Sequence, residues 1–164
     1  MVFGDGLSAA YGGAPWAATA VEKDVTEWPW RCCKQVLPQH ADHAGVLWHG
    51  AYVAWLEEAR VEALAAAGLA YAELSATGLE LMVVELQLRY RRPLRHGESV
   101  ELRSRISGAK GLRLPFHTRF ITPAGELAAE ALVTLALVDR ERGKPLRRPP
   151  ERLARALEIL AKGG

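Results

Sequence analysis

A chain of 164 residues is the length of one domain. A domain of that size buries roughly two-thirds of its unfolded surface, so neither a disulfide nor a metal is required to hold it together. Hydrophobic residues make up 49% and charged residues 24%, which excludes wholesale disorder. The 21 Lys and Arg against 19 Asp and Glu, net +2, give no electrostatic case for a dedicated nucleic-acid binder.

Residues 1–27 carry Gly4, Gly6, Gly12, Gly13 and Pro15 and hold no period. They read as an N-terminal extension outside the fold, partly mobile or lying on a partner, with a single folded domain over 28–164. No basic segment followed by an apolar one opens the chain, so no signal peptide is expected. The adjacent Cys32 and Cys33 point to opposite faces of a strand and do not suit a disulfide. With no other thiol present, a reducing, cytoplasmic setting is expected.

The first strand is expected from Trp30 to Leu37, ended by Pro38. A loop over 39–48 leads into a helix from His49 to Ala67, stopped by Gly68. At 100° per residue, Tyr52, Trp55, Leu56, Ala59, Ala63, Ala66 and Ala67 fall on one face. Four alanines on that face predict a helix lying close to whatever it packs on. The apolar stretch 50–72 carries Glu57, Glu58, Arg60 and Glu62 and is no membrane span. Tyr71 to Thr77 predicts one further helical turn.

The period then changes. Leu86, Leu88 and Tyr90 alternate with charged and polar residues, predicting a half-buried strand that ends before Pro93. After the turn at His96-Gly97-Glu98, Val100, Leu102 and Ile106 mark a second strand, and Leu112 to Phe120 a third, with Phe116 and Phe120 inward. The turn Thr122-Pro123-Ala124-Gly125 leads into Leu127–Val138, apolar on both faces and therefore expected to be central. Pro149-Pro150 opens a short helix striped by Leu153, Leu157 and Leu160. One long helix followed by four antiparallel strands predicts an α+β domain.

Polar chemistry concentrates in His40-Ala41-Asp42-His43-Ala44-Gly45-Val46-Leu47-Trp48-His49, which feeds the N-terminus of the long helix. Free N–H groups there can polarise a carbonyl or hold an oxyanion. Asp42, seven residues before the helix, can fold back toward that end through a tight turn at Gly45. A carboxylate nucleophile or base beside an oxyanion donor is the minimum equipment for acyl transfer. Each residue has a plainer role as well. A loop Asp before a helix is by default a cap or turn former, and His49 can contribute its backbone alone. Tyr52 fits a core or pocket wall better than an acid. His40, Asp42, His43 and His49 are chemically able to bind zinc or iron, but their spacing matches no zinc pattern, so no metal is expected.

The run Asp42-x-x-Gly45-x-x-x-His49-x-x-Tyr52, then Trp55-Leu56-Glu57-Glu58-Ala59-Arg60, resembles the signature of hotdog-fold acyl-CoA thioesterases of the 4-hydroxybenzoyl-CoA thioesterase family. Tyr90-x-x-Pro93-x-x-x-Gly97-Glu98, Gly125 and Gly143-Lys144-Pro145 extend the resemblance, which covers about 30–160. The chain departs from the common pattern at Gly50. The resemblance implies a long helix wrapped by a curved antiparallel sheet, and a homodimer or homotetramer with active sites between subunits. It also implies Asp42 as the catalytic carboxylate and a backbone N–H near His49 polarising the thioester carbonyl. A second group of hotdog thioesterases places His-Gly at the helix start and its carboxylate two turns into the helix; His49-Gly50 with Glu57 and Glu58 partly matches it. Asp42 with Gly45 matches the first group more completely.

Coenzyme A would enter as part of an acyl-CoA substrate, with no separate cofactor. Gly45, Trp48 and Tyr52 are the expected substrate-contacting residues at the helix start, their aromatics favouring aryl over short aliphatic acyl groups. Lys110 and Arg113 are the expected holders of the coenzyme A phosphates. The other strand arginines, Arg89, Arg91, Arg92, Arg103, Arg105 and Arg119, read as a solvated sheet face. RNA is not expected, since no glycine-aromatic motif accompanies them. A non-catalytic acyl-CoA or acyl-carrier binding module on the same fold is the alternative reading.

Overall fold

The computed structural model describes residues 28–107 and 113–163; the expected extension at 1–27, and Lys110, lie outside them. Six strands and three helices follow in chain order: β1 Trp30–Gln35, α1 His49–Ala66, α2 Tyr71–Ala76, β2 Leu79–Tyr90, β3 Ser99–Ile106, β4 Arg113–Ile121, β5 Leu127–Asp139, β6 Lys144–Pro145 and α3 Glu151–Lys162. The sheet order is β1-β3-β4-β5-β2, antiparallel throughout, with the short β6 beside β5. The α+β reading holds. β5 lies between two strands and is buried nearly end to end, as a strand apolar on both faces must be.

α1 crosses the inner face over β1 and β3, α3 packs beside it, and α2 covers the start of β2. Phe116, Phe120, Leu102, Val100 and Leu135 form the floor beneath α1. Ala59 and Ala63 meet that floor as expected. The predicted helix face needs two corrections, because Ala66 is exposed while Ala51 and Leu64 are buried. The wheel is right in the centre and slightly rotated toward both ends. Gly68, at φ +89°, ends the helix in the left-handed region that glycine alone enters cheaply.

β2 begins at Leu79, well before the predicted start near Glu85. Leu79, Leu81 and Val83 occupy odd positions, and Leu86, Leu88 and Tyr90 even ones. On a regular strand these two sets would face opposite sides. A register shift between Val83 and Glu85 inserts one residue, so Val83 pairs with Leu135 and Leu86 with Val133, both on the inner face. The bulge hides the period from a simple alternation count. Inward orientation does not mean burial here, and this corrects the half-buried expectation. In the protomer α1 lies toward the other edge, leaving the inward Val83, Leu86 and Tyr90 39–50% exposed; Met82 on the outer face and Val84 at the bulge are exposed as well.

The outer face carries the predicted arginines. Arg31, Arg103, Arg119, Glu130 and Arg89 stand in one row across five strands. Like charges on adjacent strands repel, and three features offset the repulsion. Glu101 pairs with Arg31 and Arg103, Glu130 takes Arg91, and the guanidinium groups of Arg105 and Arg119 lie over the Trp28 ring at 4.7 and 4.6 Å from its centroid. Cys32 is buried and Cys33 exposed, both free, on opposite faces of β1.

Candidate active site

A single 3₁₀ turn, Pro38–His40, turns the chain after β1. Ala41 then bridges Leu47 and the Trp48 N–H bonds the His40 carbonyl, folding 40–48 into a narrow hairpin whose return limb runs into α1. Asp42 stands at the tip. Its N–H donates to the Val46 carbonyl, and its Oδ1 accepts from the N–H groups of Ala44 at 2.8 Å and Val46 at 3.2 Å. Gly45, at φ +73°, makes the reversal possible. Asp42 therefore holds the turn, as the plain reading requires, and its side chain is exposed. Among the described residues no donor bonds Oδ2. The bonds of Asp42 go to Ala44 and Val46 of its own turn and not to the helix end expected from the sequence.

The second wall comes from the segment between β2 and β3. The Leu47 N–H bonds the Leu94 carbonyl at 2.8 Å, Val46 bridges Arg95, and the His96 N–H bonds the Gly45 carbonyl at 3.0 Å. Tyr52, 2% exposed on the first turn of α1, lies against the backbone of Leu94. Burial pushes this phenol up to about 12, against the smaller opposite pull of the Leu94 backbone, so it stays protonated at neutral pH. Its ring meets Tyr90 edge-on at 5.0 Å and Phe120 at 5.2 Å. Glu98 braces the same segment by accepting from Arg92 and from the Arg95 N–H; the Arg92 bond, offset in part by burial, holds its carboxyl below the usual range. The turn residues Pro93 and Gly97 are visible in the sequence, but the docking of Leu94 onto Leu47 leaves no sequence signal.

α1 begins without a side-chain cap, Trp48 being the N-cap residue. The first-turn N–H groups thus keep the partial positive charge that a carbonyl oxygen seeks. His49 is exposed, its ring edge-on to Trp48 at 5.2 Å. His40 is occupied otherwise: Nδ1 accepts the Leu37 N–H at 3.2 Å, Nε2 lies 3.3 Å from Gln39, and the ring stands against Trp55. No group of three or more His, Cys, Asp or Glu among the described residues is arranged to hold a metal ion.

The structure thus gathers Asp42, Gly45, Trp48, His49 and Tyr52 at one end of α1. Arg113 is not among them. It opens β4, whose Phe120 packs on Tyr52, so seven steps of strand, about 23 Å, separate it from the site. The alternative carboxylates lie elsewhere on the helix, exposed, with Glu58 ion-paired to Lys34 of β1.

Comparison with known proteins places these features. The pattern of the thioesterase-like superfamily matches residues 36–157. A Synechocystis protein, sll0410, provisionally named an esterase, is 37% identical over 77% of this chain and 76% of its own length. The acyl-CoA thioester hydrolase YbgC of Escherichia coli is 30% identical over 72% of this chain and 85% of its own. The crystal structure of a DHNA-CoA thioesterase from Staphylococcus aureus superposes with a TM-score of 0.68 at 25% identity, covering 71% of this chain and 78% of that one. With its matching signature set in a helix wrapped by a curved antiparallel sheet, the chain belongs to the thioesterase-like superfamily of thioester hydrolases, built on the hotdog fold.

Proposed function

We propose that the protein hydrolyses acyl-CoA thioesters, aryl acyl groups in preference to short aliphatic ones, with Asp42 as the catalytic carboxylate. The observation that carries the reading is the hairpin that holds Asp42 at its tip and delivers its other limb into the uncapped start of α1. The thioester carbonyl would accept a first-turn N–H, His49 supplying backbone rather than imidazole. The Asp42 carboxylate then attacks the carbonyl carbon directly or takes a proton from a water that does so. Both routes need the ionised form. Trp48, Tyr52 and Tyr90 line the same end, which supports the aryl preference. The relatives that are named for acyl-CoA and DHNA-CoA substrates support the reaction class. No resident cofactor enters the scheme.

Two copies complete the proposed enzyme. The edge strand β2 exposes Met82, Val83, Val84, Leu86 and Tyr90, apolar side chains of the kind that soluble monomers cover. Pairing across it forms at least a homodimer. Arg113 would then serve coenzyme A phosphates only in a site to which another protomer contributes. The Oδ1 bonds of Asp42 favour a second reading, a silent acyl-CoA binding module in which Asp42 only shapes the turn. Release of free thiol from a panel of aryl- and alkyl-CoA thioesters separates the two. Turnover supports the enzyme, and binding without turnover supports the module.

A further inference from the structure

Gly50 sits in the first turn of α1 without a left-handed backbone, so conformational freedom does not explain a glycine there. Glycine inside a helix is unfavourable relative to alanine, which calls for a packing reason. The Trp48 side chain supplies it. The indole folds over the helix start, and a Cβ at position 50 would fall against the ring carbons Cη2, Cζ3 and Cζ2, the last at 2.6 Å. The two positions form one contact: a flat ring laid on a bare α-carbon, with the His49 imidazole edge-on beside it. The indole is nevertheless 44% exposed, so part of this large apolar surface is presented outward at the uncapped helix end.

We propose that Trp48, seated on Gly50, is the specificity-determining residue of the thioesterase site, its indole being the wall against which a flat aryl acyl group lies. This rests on the reading that the start of α1 receives the thioester carbonyl. A carbonyl held there carries its acyl group within a side chain's length of the ring. An aryl group gains an offset or edge-on aromatic contact, equivalent to roughly a three- to tenfold preference. A flexible alkyl chain gains no such contact and gives up rotor freedom to lie still. Gly50 acts through Trp48, because a methyl group at position 50 evicts the ring.

The test compares kcat/KM for benzoyl-CoA and hexanoyl-CoA in the parent, Trp48→Ala, Gly50→Ala, the double variant and Trp48→Phe, with circular dichroism confirming a folded chain. The expected result is a roughly three- to tenfold fall in the aryl-to-alkyl ratio for each alanine variant. The double variant should fall no further than Trp48→Ala, since both changes remove one contact. Trp48→Phe, which keeps an aromatic face, should retain most of the ratio. An unchanged ratio in variants that still turn over overturns the proposal and leaves the thioesterase reading standing. Equal loss with both substrates assigns the pair a structural role and also overturns it. Absence of hydrolysis by the parent overturns both.

Discussion

Asp42 accepts two backbone N–H bonds through Oδ1, and an asparagine there keeps that same acceptor. Its charge can thus be removed without dismantling the turn. The spacing from Asp42 to His49 and Tyr52 is legible in the sequence as a motif. The packing of Tyr52 on Tyr90 and Phe120, the pairing of Glu58 with Lys34 and the seating of Trp48 on Gly50 are not, because each joins groups whose meeting depends on side-chain direction or distant register. His117 belongs with these. It is buried on the outer face against Ser107 at 2.9 Å, and burial first, then Arg105 and Arg119, lowers its pKa. The unfolded chain then binds the proton more readily, so the stability from His117 is complete above about pH 6.5 and is lost as pH falls through the lowered folded value. His117→Gln should give a urea midpoint that declines less between pH 7 and 5 than the parent's. Identical declines would contradict this assignment.

At the scale of elements, hydrophobic period identified α1, β3, β4, β5 and α3 to within a few residues, since each keeps one period along its length. β2 escaped because the bulge at Val83–Glu85 changes parity midway, so its two apolar sets look out of phase in one dimension and lie in phase in three. The sheet order was likewise not readable, as β1 pairs with β3 and β2 with β5 across long stretches of chain. α1 holds the layer together from above. Leu64, 2% exposed and omitted from the predicted face, is a stringent check on how the helix is rotated. Leu64→Ala should cost about 2–5 kcal/mol in urea unfolding, whereas Ala66→Ser, at an exposed position, should cost under about 0.5 kcal/mol. The reverse order would rotate the helix back to the sequence-derived face.

For the whole molecule, the proposed two-copy enzyme would turn the arginine-rich outer face to solvent and the apolar edge of β2 to the second copy. The protomer leaves the inward Val83, Leu86 and Tyr90 of β2 uncovered, which the alternation pattern alone cannot reveal, because it reports direction and not what lies opposite. Sedimentation should therefore find at least a dimer, and Leu86→Lys should weaken association by roughly ten- to thirtyfold by placing a charge in an apolar contact. A folded, active parent monomer would remove the two-copy enzyme. The central claim, hydrolysis by the Asp42 carboxylate, is tested most directly by thioester turnover in Asp42→Asn, with Glu57→Gln and Glu58→Gln as matched controls. The account predicts that the Asn variant folds and binds acyl-CoA normally while turnover falls by at least about two to four orders of magnitude, both glutamine variants remaining near the parent. Near-normal turnover in Asp42→Asn, with or without loss in a glutamine variant, would contradict it.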